Sequence, residues 1–296
     1  MGGKYLKDEG FSDDICLAVA EHYLPSFYKD ALPSSKYGAI VSIADKIETL
    51  ISIFISGKRP SGSSDPYALR RNLNGVIKII WDYEFDLALD NLFKKVIEVW
   101  EIAFPNLNFS KKKVLNDLTE FLVQRIVSHL EEISLSKELI KAVCSSDELY
   151  QKRILNIVDL KNRLKSIVDF KEKETFFEIQ KVITRVSKLA NSSNLSTNVF
   201  STRDYVNTKL FEKECELKVF EFIRELEKLF SAGYCNYSKL LNLFEININT
   251  IENLFDNEKG VLVMSEDIKI RNNRLNLLSL IRNYSLKIAD FTLLNS

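Results

Sequence analysis

Four cations crowd one short stretch of the chain: Lys58 and Arg59 precede a Gly/Pro/Ser-rich loop, and Arg70 and Arg71 follow it. Guanidinium forks and ammonium groups near the start of a helix suit phosphate, because orphan N–H groups and the helix dipole add to their charge. Asp65 has the side chain to cap that helix, and Pro66 suits its first position, where a missing N–H costs nothing. The competing reading is that one arginine bridges to Asp65 or another carboxylate and merely locks the loop. A second basic row, Lys181, Arg185 and Lys188, recurs at steps of four and three and lies on one helical face. Arg271, Arg274 and Arg282 follow late in the chain, with Asn272 and Asn273 between the first two. Such groups suit single-stranded RNA, whose bases stack on planar groups and are read on their edges. A solvated helix face is the plainer reading of any charge row.

Other chemistry is harder to assemble. Asp45 sits in Ala44-Asp45-Lys46, but the chain has only His22 and His129, and neither is followed by Asp. Too few nitrogen ligands remain for a metal-dependent hydrolase, so no metal is expected and Asp45 reads as structural, paired with Lys46 or a neighbouring base. His22 and His129 read as ordinary packed histidines. No phosphate-loop motif, no GxGxxG after a strand, no Ser/His/Asp order and no CxxC pair occurs. No catalytic residue and no cofactor of its own is therefore expected. Cys16, Cys144, Cys215 and Cys235 are scattered, as reduced and mostly buried thiols would be.

The elements that must carry these residues are helices. In 296 residues there are only nine Gly and five Pro, and apolar positions recur at helical spacing between them. Ile40, Ile43, Ala44, Ile47, Leu50, Ile51 and Phe54 form one such stripe; Leu69, Leu73, Val76, Ile77 and Ile80 form the next. Further helices are expected over 11–28, 86–104, 113–132, 137–145, 148–168, 173–190, 208–231 and 268–294. Within 208–231 the inward side reads as Leu210, Leu217, Phe220, Ile223, Leu226 and Leu229, and Glu212, Glu214 and Glu216 read as solvated. Phe176, Phe177, Phe220 and Phe222 read as core. Residues 191–204 form a polar loop, and 243–251 or 260–264 are the only tempting extended pieces. Lys+Arg and Asp+Glu balance at 41 each, so no global field draws nucleic acid and any RNA contact must be local. The N-terminus lacks a signal-peptide pattern, and Leu50–Ile55 is too short to cross a bilayer. The chain reads as cytoplasmic, with no membrane partner.

Ala44-Asp45-Lys46-Ile47-Glu48-Thr49-Leu50, followed by Lys58-Arg59-Pro60 and Asp65-Pro66-Tyr67-Ala68-Leu69-Arg70-Arg71, resembles the signature region of the bacterial tetrameric glycyl-tRNA synthetase beta subunit. A collinear second block supports it: Leu254-Phe255-Asp256, Val261-Leu262-Val263-Met264, Arg271-Asn272-Asn273-Arg274-Leu275 and Ile288-Ala289-Asp290. His22 falls in a similar EHYLP segment. The resemblance implies an all-α chain: a remnant HD-like helical domain over 1–104, a helical connecting region over 105–168, and an anticodon-binding, DALR-like bundle over 169–296. It implies phosphate contacts at Lys58, Arg59, Arg70 and Arg71, and anticodon candidates at Lys181, Arg185, Lys188, Arg271, Arg274 and Arg282. Ser187 and Lys188 depart from the family pattern, which weakens a base contact at that point. The implied partners are tRNA(Gly) and the synthetase alpha subunit, where ATP and magnesium act. Beta subunits are much longer, so the resemblance implies a C-terminal portion, whether shortened, split or partial. Loss of leading helices would expose apolar surface between Ile40 and Phe54. The rival reading is a non-catalytic helical scaffold that binds protein.

Overall fold

The computed structural model describes residues 1–27, 29–60, 65–144, 155–231 and 236–294. Among them every regular element is helical, and the single β-like pairing is an isolated bridge between Ala88 and Asn156. The fold is all-α. Backbone contacts divide the chain into two units, Met1–Ser136 with Ser146–Lys161, and Lys137–Ser145 with Asn162–Ser296.

The first unit holds α1 (Gly2–Asp8), α2 (Asp13–Glu21), α3 (Lys36–Ile55), α4 (Leu69–Tyr83), α5 (Leu89–Ala103) and α6 (Lys111–Glu132). Helices α3 and α4 form its centre. Leu118, Leu122, Ile126 and Leu130 make a buried stripe on α6, which packs on α3, α4 and α5. That stripe is why the first half of the expected connecting region, 105–168, belongs to this unit. On α3 the buried side is Ala39, Ile43, Ile47, Leu50, Ile51 and Phe54, while Ile40 and Ala44 face outward beside Tyr37 and Val41. The helix is apolar on both sides, so periodicity alone could not select the inner one.

Lys46 lies on the inner side, 3 % exposed. Its Nζ donates to Ser42 Oγ at 2.8 Å and to the carbonyls of Leu24 at 3.1 Å and His22 at 3.3 Å. The expected pairing with Asp45 is not made: Asp45 is exposed, and carbonyl oxygens satisfy the ammonium instead. Gly75 on α4 makes room for the lysine stem, since a Cβ there would lie 3.0 Å from Lys46 Cε. This close approach accounts for a glycine inside a helix. Burial pulls the Lys46 pKa down to about 8, against the raising effect of nearby Asp45.

Asp65 caps α4 as expected, but from farther upstream. Its Oδ1 accepts the Leu69 N–H at 2.8 Å and its Oδ2 accepts the Arg70 N–H at 3.0 Å. The helix starts at Leu69, after a turn closed by the Ala68 N–H on the Asp65 carbonyl and ended by Ala68 at φ 56°. Pro66 thus occupies that turn and not the first helical position; its fixed φ suits the turn's second residue.

The second unit holds α7 (Lys137–Val143), most of α8 (Ile157–Lys171), α9 (Phe176–Ala190), α10 (Glu214–Ser231), α11 (Tyr237–Ile246), α12 (Ile248–Asn253) and α13 (Ile268–Ser285). The expected extended piece at 243–251 is helical in α11 and α12, and 260–264 forms no strand. Helix α13 is central, packing on α9 and α10. It ends at Ser285; Asp290 then starts a short 3-10 turn, Phe291–Leu293, and its carboxylate accepts the Thr292 N–H at 3.0 Å. On α10 the buried residues are Cys215, Glu216, Val219, Phe222, Ile223 and Leu226, and Leu217 is exposed. The inner side lies partly one residue off the expected stripe because Arg274 draws Glu216 inward. Cys16 and Cys215 are buried and Cys144 is half-buried, all unpaired; Cys235 lies outside the described residues. No helix of the described residues is long and apolar enough to cross a membrane.

The Lys46 shift has a sign. Between the folded value near 8 and the ordinary lysine value of 10.5, the unfolded chain binds more protons, so this group adds stability as pH rises through that window. Urea unfolding of the protein and of Lys46→Met at both ends of the window should show the wild type gaining on the variant by roughly 3 kcal/mol. A gap independent of pH would contradict the buried ammonium.

Candidate nucleic-acid interface

Part of the phosphate cluster expected around α4 serves the fold itself. Arg59 donates from Nε at 3.1 Å and Nη2 at 2.6 Å to Asp117 Oδ2 on α6. Its Nη1 donates to the carbonyls of Phe54 at 2.7 Å and Lys58 at 2.8 Å, and its plane lies 4.1 Å from the Phe54 ring centre. All three guanidinium nitrogens have an acceptor, so Arg59 locks the end of α3 to α6. Lys58 donates to the Tyr67 hydroxyl and stands over the Tyr67 ring. The α4 N-terminus already holds an anion, the Asp65 carboxylate, which removes the dipole site proposed for phosphate. Arg70 is half-buried, whereas Arg71 is exposed, with its guanidinium 5.5 Å from the Phe27 ring. Ser61–Ser64 lie outside the described residues.

The late arginines divide in the same way. Arg274 is 2 % exposed; its Nε donates to Glu216 Oε1 at 2.9 Å and its Nη2 to Glu212 Oε2 at 2.6 Å. Its Nη1 donates to the Leu262 carbonyl at 3.0 Å. Arg282 is also buried, donating to the carbonyls of Ala190 at 3.2 Å and Leu195 at 3.1 Å and to Asn283 Oδ1. Asn283 holds the carbonyls of Ser196 and Val199, and the Tyr284 hydroxyl holds that of Phe200. These residues tie down the polar 191–204 loop, so neither Arg274 nor Arg282 presents its fork to an RNA base. Arg271 is half-buried in the first turn of α13.

In the second unit the row on α9 stays outward, as Lys58 and Arg71 do in the first. Lys181, Arg185 and Lys188 are all exposed, and none forms an ion pair among the described residues. The helix buries its opposite side through Phe176, Ile179, Val182, Ile183 and Val186. The Arg185 guanidinium lies 4.3 Å from the Phe255 ring centre, within cation–π range. Open grooves flank it on both sides. One, of about 820 Å³, is bordered by Phe177, Gln180, Lys181 and Lys188. The other, of about 610 Å³, is bordered by Phe255, Leu262, Met264 and Lys213. Phe177, expected in the core, is 58 % exposed and projects beside the basic row. Gln180 donates to the Leu294 carbonyl, and its buried Oε1 has no partner.

The wall of the second groove is a tight turn. Asp256 accepts the N–H groups of Glu258 at 2.9 Å and Lys259 at 2.8 Å, which holds its carboxyl below the usual range. Gly260 passes so close that a Cβ would fall 2.4 Å from the Asp256 carbonyl oxygen. Sequence reasoning missed the exposed Phe177 and the half-buried Phe255 beside this row, because nothing local separates such an aromatic from a core one. No local signal marks Phe255, which meets Arg185 only through tertiary contact.

Comparison with known proteins shows what the chain is similar to. The family model described as glycyl-tRNA synthetase beta subunit matches residues 1–145. The glycine–tRNA ligase beta subunit of Gloeothece citriformis is 33% identical over 98% of this chain, and that of Trichodesmium erythraeum 34% over 98%. The Thermodesulfovibrio yellowstonii protein of the same name is 34% identical over 99%. The chain belongs to the glycyl-tRNA synthetase beta-subunit family. It spans 41%, 41% and 40% of the length of those three relatives. Both sequence blocks that resembled the beta subunit thus fall inside the matched length. In this beta-subunit chain the block residues Lys46, Arg59 and Arg274 serve the fold, and the exposed row lies between the blocks.

Substitution should separate the two classes of arginine. Arg59→Ala should lower unfolding free energy by about 1–3 kcal/mol, since it strands Asp117 and two carbonyls. Arg185→Ala should stay within about 0.5 kcal/mol of wild type. Urea denaturation of the two variants checks both; equal losses would contradict the assignment.

Proposed function

We propose that this chain is the tRNA-binding portion of a glycine–tRNA ligase beta subunit, without catalysis of its own. Its part is to hold tRNA(Gly) while the alpha subunit, with ATP and magnesium, joins glycine to it. The HD-like and DALR-like identities implied for its two units belong to this proposal. The observation that carries the reading is the exposed Lys181–Arg185–Lys188 row, set between two open grooves with Phe177 and Phe255 beside it. Cations track the phosphates and supply salt-sensitive affinity. The Arg185 guanidinium and the two rings offer stacking surfaces for splayed anticodon bases. A role in protein docking is the second reading, favoured by Tyr37, Ile40 and Val41, exposed at helical spacing on α3.

Fluorescence anisotropy with labelled tRNA(Gly), an anticodon-substituted tRNA and a salt titration tests the proposal. Binding should weaken with the altered anticodon, and Arg185→Ala should remove roughly 1–3 kcal/mol of affinity together with that discrimination. No binding at low salt would overturn the RNA reading and bring the docking role forward.

A further inference from the structure

In the first unit, beneath the Pro25–Phe27 segment, lies a partly enclosed cavity of about 80 Å³. Helix α4 presents Arg71, Asn74 and Lys78 to it, and α6 presents His129 and Glu132. His129 is 6 % exposed, and its Nε2 has no hydrogen-bond partner. The side-chain oxygen of Asn74 is likewise buried and unpartnered. Buried polar atoms are rarely left in that state, so the cavity is built for something polar. Either end of the Asn74 amide can face it, and the neutral imidazole can place its proton on Nε2, so both residues are able to donate. Burial and nearby Lys78 hold the His129 pKa below the usual histidine range, against the raising effect of Asp82.

Two cations, Arg71 and Lys78, line the cavity against one carboxylate, Glu132. Lys78 also donates to the Asp30 carbonyl at 3.1 Å, and the Asp30 carboxylate is taken by the N–H groups of Ser26 and Phe27. An anion in the cavity gains charge pairing with Arg71 and Lys78 that water does not. The space matches about three waters or one tetrahedral oxyanion. A phosphate inside a strand needs room for chain on both sides; a phosphate at a chain end needs only one opening. Phe27, 62 % exposed beside Arg71, offers a ring on which the attached base could stack.

We propose that this cavity receives a terminal phosphate monoester, the 5′ end of the bound RNA. Arg71 and Lys78 supply charge, Asn74 and His129 supply hydrogen bonds, and Phe27 carries the terminal base. The choice of RNA as the source rests on the function proposed above; the recognition of a phosphate monoester rests on the cavity alone.

Two measurements decide it. The chain has two histidines, so imidazole NMR spectra, assigned with His22→Gln, report His129 separately. Inorganic phosphate added at constant pH and ionic strength should shift the His129 ring signals saturably and leave those of His22 in place. Arg71→Met and Asn74→Leu should abolish that shift, and retention of the native spectrum elsewhere shows that the variants fold. In parallel, tRNA(Gly) carrying a 5′-hydroxyl should bind about tenfold more weakly than the 5′-phosphorylated form. Absence of any His129 shift overturns the cavity site. A shift with equal binding of the two tRNAs overturns the RNA end as the ligand. If no tRNA binds yet His129 responds, the RNA reading fails while the phosphate site stands.

Discussion

A guanidinium removed from water must find fixed acceptors, and Arg274 finds them on Glu216, Glu212 and the Leu262 carbonyl. Glu216 is fully buried, and its Oε2 also accepts the N–H groups of Glu212 at 2.7 Å and Lys213 at 3.1 Å. One ion pair therefore joins α13, the start of α10 and the loop that walls the Phe255 groove. Removing one member would strand a buried charge, at about 3–5 kcal/mol. The rest of the second unit is arranged around this junction. Arg282, Asn283 and Tyr284 continue along α13 to hold the 191–204 loop, and α9 lies against the same helix.

The first unit meets the same constraint with a different solution. Lys46 has no carboxylate partner in contact and is satisfied by two carbonyls and a hydroxyl. Those carbonyls belong to the segment between α2 and α3, so the lysine fixes the backbone beside the cavity. Gly75, chosen by the lysine stem, lets α4 approach the same segment. Arg59 then closes the far end of α3 onto α6. Polar residues that the fold requires are thus spent inward, and those with nothing inward to bind stay outward. On α9 these are Lys181, Arg185 and Lys188.

Much of this architecture was legible in the sequence. The helical class, the Asp65 cap and the buried side of α4 follow from spacing and side-chain chemistry, with Leu69, Leu73, Val76, Ile77 and Ile80 all buried. Two-sided apolar patterns were not legible: Ile40 and Ala44 share α3 with a core stripe and face outward. Buried charges were not legible either. Glu216 reads as solvated beside its charged neighbours, and only its contact with a residue far along the chain draws it in. The basic row was visible as a row, but its exposure and its neighbouring rings depend on tertiary contacts with 255–264. His129 looked ordinary because an unpartnered nitrogen exists only once α4 and α6 face each other.

The central claim is that the α9 row contacts RNA while the signature arginines hold the scaffold. Hydrogen–deuterium exchange of the chain with and without tRNA(Gly) tests it most directly. The account predicts slowed exchange in α9 and in the 255–264 turn on binding. Peptides holding Arg274 and Arg282 should be protected equally in both states, because their partners are internal. Protection confined to the α13 peptides, with α9 unchanged, would contradict the account.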